Sequence, residues 1–518
     1  MNNREIQAAW AYHNATKHSY ESVRSNPHYL DWENQPISFK IYSELQPIPL
    51  PEHLSSATLP TLEAISGIEA PAEQEILPSI QTMAEIFYLS AGITRRRTYP
   101  GGEILFRAAA CTGALYHIDL YLVCADLPGL PAGVYHFGPH DFALRRLHEG
   151  DCRDILVRAS AREPAITQAP AIIVCVSTYW RNAWKYQSRA YRHCYWDTGT
   201  ILGNLLAAAA CRRVPSRVVL GFEDATVSQL LSLDATREGA IALVALGNIS
   251  SRPNQLSATI RPQAFETEPL SKKEIDYPSI RAIHEASSLG NVTEVEDWRR
   301  AASSSRAAKN PSSISQGRLI PLRPFGDDEI PRETLEEVIQ RRGSTRTFAR
   351  ESISFSQFSS LLERATRGIQ TDVISPKDIP LNQLYLIVSA VEDLSPGAYV
   401  FHRDKLALEL LKEGNFRREA GHLGLGQEIP ADCSVNVFFL ANLQEILARF
   451  GNRGYRAAQL EASIVGGKLY LAAYAQRLGA SGLTFFDDDV TEFFSPHAAA
   501  KSVMFLIALG KSVKQRKE

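Results

Sequence analysis

The feature that most constrains this chain of 518 residues is that it is written twice. The stretch from Trp184 to Arg213, WKYQSRAYRHCYWDTGTILGNLLAAAACRR, has a second copy beginning near Arg449. At a constant offset of 264, Arg189 meets Arg453, Tyr191 meets Tyr455, Arg192 meets Arg456, Asp197 meets Glu461 and Gly203 meets Gly467. Apolar residues recur at three and four in both copies (Ile201, Leu202, Leu205, Leu206, Ala209; Val465, Leu469, Ala472, Ala473), which predicts a long amphipathic or buried helix in each. Gly199 and Gly203 share a face of the first helix, where another backbone can come close. The repeat continues outward: GVYHFGP at Gly133 answers GAYVFHR at Gly397, HEGD at His148 answers KEGN at Lys412, and AIALVALG ending at Gly247 answers VMFLIALG ending at Gly510. LYHIDLYLV at Leu115 answers LYLIVSA at Leu384 at an offset of 269. A period this long is no solenoid; it predicts a duplicated domain whose halves pack as an internal two-fold dimer.

Taken in order, residues 1–75 have no second copy and carry a Pro-dotted stretch (Pro27, Pro36, Pro47, Pro49, Pro51), so they are expected to form an N-terminal extension. The first domain is expected over 76–250, with a helix from Ile80 to Ile93, a basic run Arg95 to Arg97, a loop at Pro100 to Gly102, and then strands alternating with helices. Residues 251–330 turn polar and Ser-rich, predicting a linker that is helical near Ser279 to Ser287 and mobile around Ser303 to Gln316. The second domain is expected over 331–518. Strand runs separated by helical ones imply an α+β or α/β class, with helices on the faces of an antiparallel or mixed sheet. The formal net charge of −2 makes no electrostatic case for nucleic acid or an anionic membrane. Seven cysteines lie scattered without a C-x-x-C pair, which favours buried thiols in a reducing compartment over disulfides or a metal site. The opening residues contain no apolar signal segment and no long uncharged run occurs, so the expected location is cytoplasmic.

Three clusters could carry chemistry. Arg341, Arg342, Ser344 and Arg346 put three guanidiniums and a hydroxyl within six residues, which suits a phosphate monoester and equally suits a solvated basic turn. Arg107 with Cys111, Thr112 and Gly113 marks a small-residue turn entering a strand, where backbone can approach a planar ligand, or an ordinary tight turn. Lys185 and Tyr186 set an amine beside a phenol ahead of the long helix, as a proton-transfer pair or as a surface Lys next to a packing Tyr.

Together the segments YLSAGITRRR, CTGALYHIDLYLV, GLPAGVYHF and KYQSRAYRHCYWDTG, with AYHNATKHSYESVR and LDWENQPISFKIY before them, resemble the nitroreductase superfamily, and within it the SagB/ThcOx type of FMN-dependent dehydrogenase that oxidises azoline rings in ribosomal peptides. The second half is similar more loosely, through RRGSTRTF, YRAAQLEAS and the final ALGK. The resemblance implies two tandem nitroreductase-like α+β domains forming a pseudo-dimer with FMN at their seam. It implies a phosphate grip from Arg341, Arg342, Ser344, Arg346 and Lys511 of the second domain, and a ring-bearing turn at Arg107, Cys111, Thr112 and Gly113 of the first. Cys111 stands in the usual Ser place and Ala110 in the usual Pro place. IPLNQLY replaces the ring turn in domain 2, and domain 1 has no Arg-Arg-Ser-x-Arg, so one competent flavin site and one decayed site are expected. Lys185 and Tyr186 are then the expected catalytic pair. A lysine made neutral by burial, or a phenolate held by the ammonium, would take the proton that accompanies hydride transfer. The substrate would be a peptide or small molecule and a cyclodehydratase a possible partner, with no metal and a chain that needs no second copy. An NAD(P)H-dependent reductase of nitroaromatics or quinones, and a degenerate flavin-binding scaffold, are the competing functions.

Overall fold

In the computed structural model the chain is described except for residues 1–2, 26, 54–58, 68–73, 100–101, 254–261, 304–316, 375–379 and 514–518. Most of the stretch expected to be a mobile linker lies outside the described residues. Each half builds one seven-stranded sheet. In the first, β1 (Pro47–Pro49), β4 (Ile118–Cys124), β5 (Gly133–Gly138), β6 (Ala143–Glu149), β7 (Ala171–Thr178), β8 (Ser216–Val219) and β9 (Glu238–Leu246) lie in the order β1-β6-β5-β4-β7-β9-β8. β2 (Ile93–Tyr99) and β3 (Gly102–Arg107) form a separate hairpin. In the second half, β10 (Leu319–Pro321), β11 (Asn382–Val388), β12 (Gly397–His402), β13 (Ala407–Glu413), β14 (Val435–Ala441), β15 (Gly479–Leu483) and β16 (Ser502–Gly510) repeat that order as β10-β13-β12-β11-β14-β16-β15. All pairings within both sheets are antiparallel, so neither sheet is mixed. The edge strands β1 and β10 come from the Pro-dotted opening and from the inter-domain segment. Proline fits there because an edge strand can leave one row of N–H positions unused.

The two repeat helices, Ala190–Cys211 and Arg453–Ala475, pack against each other along the seam between the halves. Both are buried over nearly their whole length rather than amphipathic, because each has a sheet on one side and the other helix on the opposite side. At the crossing, a Cβ on Gly203 would sit 3.0 Å from the backbone carbon of Gly467, and one on Gly467 would sit 3.0 Å from the Cα of Thr200. Trp196 donates its indole N–H to Gln459 (2.6 Å) and Ser463 donates to the carbonyl of Tyr195 (2.8 Å), tying the helices together.

Four buried arginines make this seam reciprocal. Arg189 and Arg192 of the first half reach Asp487 of the second at 3.1 and 2.6 Å, and Arg453 and Arg456 of the second reach Asp224 of the first, both at 2.6 Å. Burial alone would push both carboxyls up, but the paired guanidiniums outweigh it, holding Asp224 down to about 2 and Asp487 well below the usual carboxylate range. The same patch on both partners contacting itself is what a two-fold dimer interface requires, here within one chain.

The basic run Arg95 to Arg97 lies in a strand, Arg95 opposite Phe106, and of the expected loop at Pro100 to Gly102 the described residue Gly102 is itself paired, opposite Tyr99, while residues 100–101 lie outside the described residues. Thr94, Thr98 and Tyr99 favour extended backbone, and the Arg95 guanidinium stacks over the Phe106 ring at 4.3 Å.

Candidate functional site

The turn from Arg107 to His117 is organised by one carboxylate. Asp197, inside the first long helix, accepts from the Thr112 N–H (2.9 Å), the Thr112 hydroxyl (2.7 Å), the Cys111 thiol (3.1 Å) and His117 Nε2 (2.9 Å), while His117 Nδ1 meets the Ser177 hydroxyl at 2.9 Å. The Cys111 sulfur also accepts the Tyr116 N–H at 3.1 Å. Burial, reinforced by the nearby Asp197, raises the Cys111 thiol well above its ordinary value, so it stays protonated and acts as a donor within the turn. Thr112 therefore spends its N–H and hydroxyl on Asp197 instead of offering them to a ligand. Arg107 is buried between the rings of Phe39 and Tyr116 and donates to the Ser38 carbonyl, with its Nε left buried and without a partner.

Asp197 was not among the residues expected from sequence to shape the site. Its signal was available, since an acid recurs at this position as Glu461 in the second copy of the repeat helix. Glu461 performs the same work in the second half, accepting from the N–H groups of Leu381 (3.1 Å) and Asn382 (2.9 Å). Burial raises it to about 7.

Lys185 and Tyr186 close a short helix, Tyr179–Tyr186, that delivers them to this turn. The next residue, Gln187, breaks the helix at φ 49°, a job done in the second half by Gly451 at φ 67°. Gly113 sits at φ 64°, and a Cβ there would lie 2.9 Å from the Tyr186 hydroxyl. Only glycine satisfies both the backbone and the contact. The Lys185 amine lies over the Tyr186 ring, 5.6 Å from its centroid, and His193 packs edge-on against the same ring at 4.5 Å. Burial, with Asp197 and Cys111 close by, raises the Tyr186 phenol above its ordinary value, and Arg346 of the second half opposes that rise. The phenol is therefore neutral at pH 7. The raised phenol makes Tyr186 a hydrogen-bond donor in this arrangement, with the Lys185 amine above its ring.

The second half supplies the facing rim. Arg342 crosses the seam, donating through Nε to the Ala108 carbonyl (2.8 Å) and through Nη2 to the Arg107 carbonyl (2.9 Å). Arg341 turns back into its own domain, pairing with Glu333 and donating to the Tyr474 carbonyl at 2.6 Å. Ser344 lies 3.4 Å from the Tyr470 hydroxyl, and Arg346 is exposed. Lys511 lies beside the same segment, its carbonyl accepting the Ala349 N–H (2.9 Å) and its exposed amine 3.4 Å from Glu351. The structure thus brings Cys111, Thr112, Gly113, Lys185 and Tyr186 together with the segment Arg342 to Arg346 across the seam. Arg341 and Arg342 have their guanidiniums engaged by protein groups, which leaves Ser344, Arg346 and Lys511 as the more available anion donors.

The equivalent place on the other side of the seam is differently built. Asn248 stands where Lys511 would be, and the segment leading to β11 is fastened to the edge of the first sheet. There the Asp372 carboxylate accepts from the N–H groups of Leu220 (2.8 Å) and Gly221 (2.7 Å), and Val218 donates to the Gln370 carbonyl (2.9 Å).

A flavin is the usual cofactor of proteins built this way, and the residues present fit one. A bare glycine turn can lie under a flat ring system, Arg107, with its Nε unpartnered, lines the small cavity beside that turn, and Ser344, Arg346 and Lys511 are hydroxyl and cationic groups of the chemistry a phosphate takes. Among the described residues no cluster of potential metal ligands occurs, and no helix is long and apolar enough to cross a membrane.

Comparison with known proteins agrees with the geometry. A crystal structure of an Anabaena variabilis protein and the protein MJ1384 of Methanocaldococcus jannaschii both carry the name putative nitroreductase. The first superposes over 98% of this chain and 99% of its own at TM-score 0.78 and 27% identity, so the whole tandem arrangement is shared. The second is 21% identical over 155 residues, covering 30% of this chain and 75% of its own length. The microcin B17-processing protein McbC of Escherichia coli is 25% identical over 161 residues, which span 30% of this chain and 55% of McbC. The nitroreductase family profile matches twice, at residues 107–248 and 339–511, together more than half of the chain, and the two matches hold the seam helices and all strands of the two sheets except the edge strands β1 and β10. The chain is an oxidoreductase of the nitroreductase family, with two tandem copies of that domain.

Proposed function

We propose that the chain is an FMN-dependent dehydrogenase that oxidises an azoline-type ring in a peptide to the aromatic azole, using one composite site at the seam. The observation that carries this reading is the placement of the Tyr186 hydroxyl on Gly113 with the Lys185 amine above its ring, at the turn that Arg342 clamps from the other domain. Similarity to the microcin B17-processing protein McbC supports it.

FMN, when bound, supplies the acceptor for the hydride that leaves the substrate ring. Ser344, Arg346 and Lys511 would hold its phosphate, and the turn from Arg107 to Gly113 would lie against its ring. The protein's own share of the reaction is the proton. The neutral Tyr186 phenol donates a hydrogen bond to the substrate ring and orients it, and the Lys185 amine accepts the proton lost from ring carbon. Asp197 keeps the turn, and with it Gly113, in register with Tyr186. A cyclodehydratase that makes the azoline is the partner this activity calls for.

The test is the reductive half-reaction of purified, flavin-loaded protein with a synthetic thiazoline peptide in stopped flow. Rapid bleaching by the peptide, one product per flavin reduced and slow bleaching by NADPH are expected. Rapid bleaching by NADPH with no response to the thiazoline would replace this reading with a nitro- or quinone-reductase. A purified protein without flavin would leave a scaffold.

A further inference from the structure

We propose that the β2–β3 hairpin is a substrate-docking arm of the composite site, taking an extended, carboxylate-rich peptide segment as a third strand; this rests on the peptide-oxidation reading and names the part of the chain that holds the peptide. The hairpin is a sheet of two strands, so among the described residues neither outer edge has a strand partner, and Arg95 to Tyr99 and Gly102 to Ile104 are exposed. Unpaired edges with free backbone donors and acceptors are where extended peptides add.

The charge of the arm specifies the occupant. Of three consecutive arginines, Arg96 shares its face with one acid, Glu103, at 3.8 Å; among the described residues Arg95 and Arg97 form no ion pair. The register places Arg97 opposite Ile104 and Tyr99 opposite Gly102, so the face holding Arg95, Arg97 and Tyr99 is basic and aromatic. A chain of net charge −2 does not arrive at such a patch through general basicity.

The root of the arm ties it to the site. β3 ends at Arg107, the first residue of the candidate ring turn, the Ala108 N–H returns to the Gly92 carbonyl (2.9 Å), and the Ala108 carbonyl accepts from Arg342 Nε (2.8 Å), whose basicity burial lowers with a smaller contribution from Arg95. A strand laid along the hairpin therefore leads toward the seam. The corresponding segment of the second half is shorter and is fastened down on the first sheet through Asp372, at the side of the seam that lacks a phosphate grip.

The probe is a short fluorescein-labelled peptide alternating Glu and Thr, followed by fluorescence anisotropy at low salt on the full flavin-loaded chain. Wild type should bind it and should not bind the matching Lys-Thr peptide. Replacing Arg95, Arg96 and Arg97 together by Gln should weaken binding roughly tenfold, as the sum of three exposed ion pairs, and added salt should do the same. N-methylation of alternate residues of the acidic peptide should abolish binding, because it removes the backbone donors a third strand needs. Unchanged thermal melting and flavin content would show the triple variant folded. The same variant should oxidise a small non-peptide thiazoline at the wild-type rate while its KM for an acidic thiazoline peptide rises. Equal binding by the triple variant, equal binding of the N-methylated peptide, or no binding by wild type would overturn the proposal. Binding without any thiazoline oxidation would remove the functional reading and leave the docking arm standing.

Discussion

Replacing Asp487 by Ala isolates the reciprocal seam. Its carboxylate receives Arg189 at 3.1 Å, Arg192 at 2.6 Å and the backbone N–H of His18 at 2.8 Å, both guanidiniums being buried. Removing it leaves two buried guanidiniums without their counter-charge, and breaking a buried pair by deleting one partner costs about 3–5 kcal/mol. The near two-fold symmetry predicts a similar loss for Asp224→Ala, which frees Arg453 and Arg456 in the same way. The two sites also predict acid sensitivity. Both carboxyls are depressed in the folded state, so their stabilisation is fully present above the unfolded value near 4 and is lost as pH falls through the folded value. For Asp224, lowered from 3.8 to about 2, the linkage amounts to about 2 kcal/mol between roughly pH 4 and pH 2. Urea unfolding followed by far-UV circular dichroism at pH 7 and pH 3 measures both effects. Losses below about 1 kcal/mol for either variant at pH 7, or variants as acid-sensitive as wild type, would show that the pairs do not hold the halves together.

Lys185→Ala and Tyr186→Phe should retain flavin yet slow its reduction by substrate about 10²–10⁴-fold, the range for a positioned acid or base, with reoxidation unchanged in stopped flow. Arg346→Ala and Lys511→Ala should release flavin into the filtrate, whereas Lys17→Ala, whose amine pairs with exposed Asp488 at 2.7 Å, should not. Released flavin should approach one per chain; a ratio near two would show the Asn248 side of the seam to be competent. Gly203→Val drives a side chain into the backbone of Gly467 and should destabilise by about 1–3 kcal/mol or separate the helices, read by the thermal midpoint.

Much of this architecture follows from the amino-acid order alone, because it is carried by periodicity and self-similarity. Apolar residues at three and four set the two long helices, alternating and apolar runs set the central strands, and Gly199, Gly203 and Gly467 announce the close crossing. Repetition at a fixed offset then makes the internal dimer the economical arrangement. The small turn at Cys111 to Gly113, the pair Lys185 and Tyr186, and the arginine cluster could be picked out by residue type and by resemblance, since each is local. Tertiary structure alone decided what those groups do. That Arg342 clamps the Ala108 carbonyl and that Arg341 donates to the Tyr474 carbonyl depend on neighbours more than a hundred residues away, and that Tyr186 stays a phenol depends on how deeply it is buried. Tertiary contact likewise decides Asp197, whose partners at Thr112 and His117 appear only when the strand entry folds over it, and Asp224 and Asp487, which are ordinary helix-start carboxylates until the other half of the chain brings arginines to them.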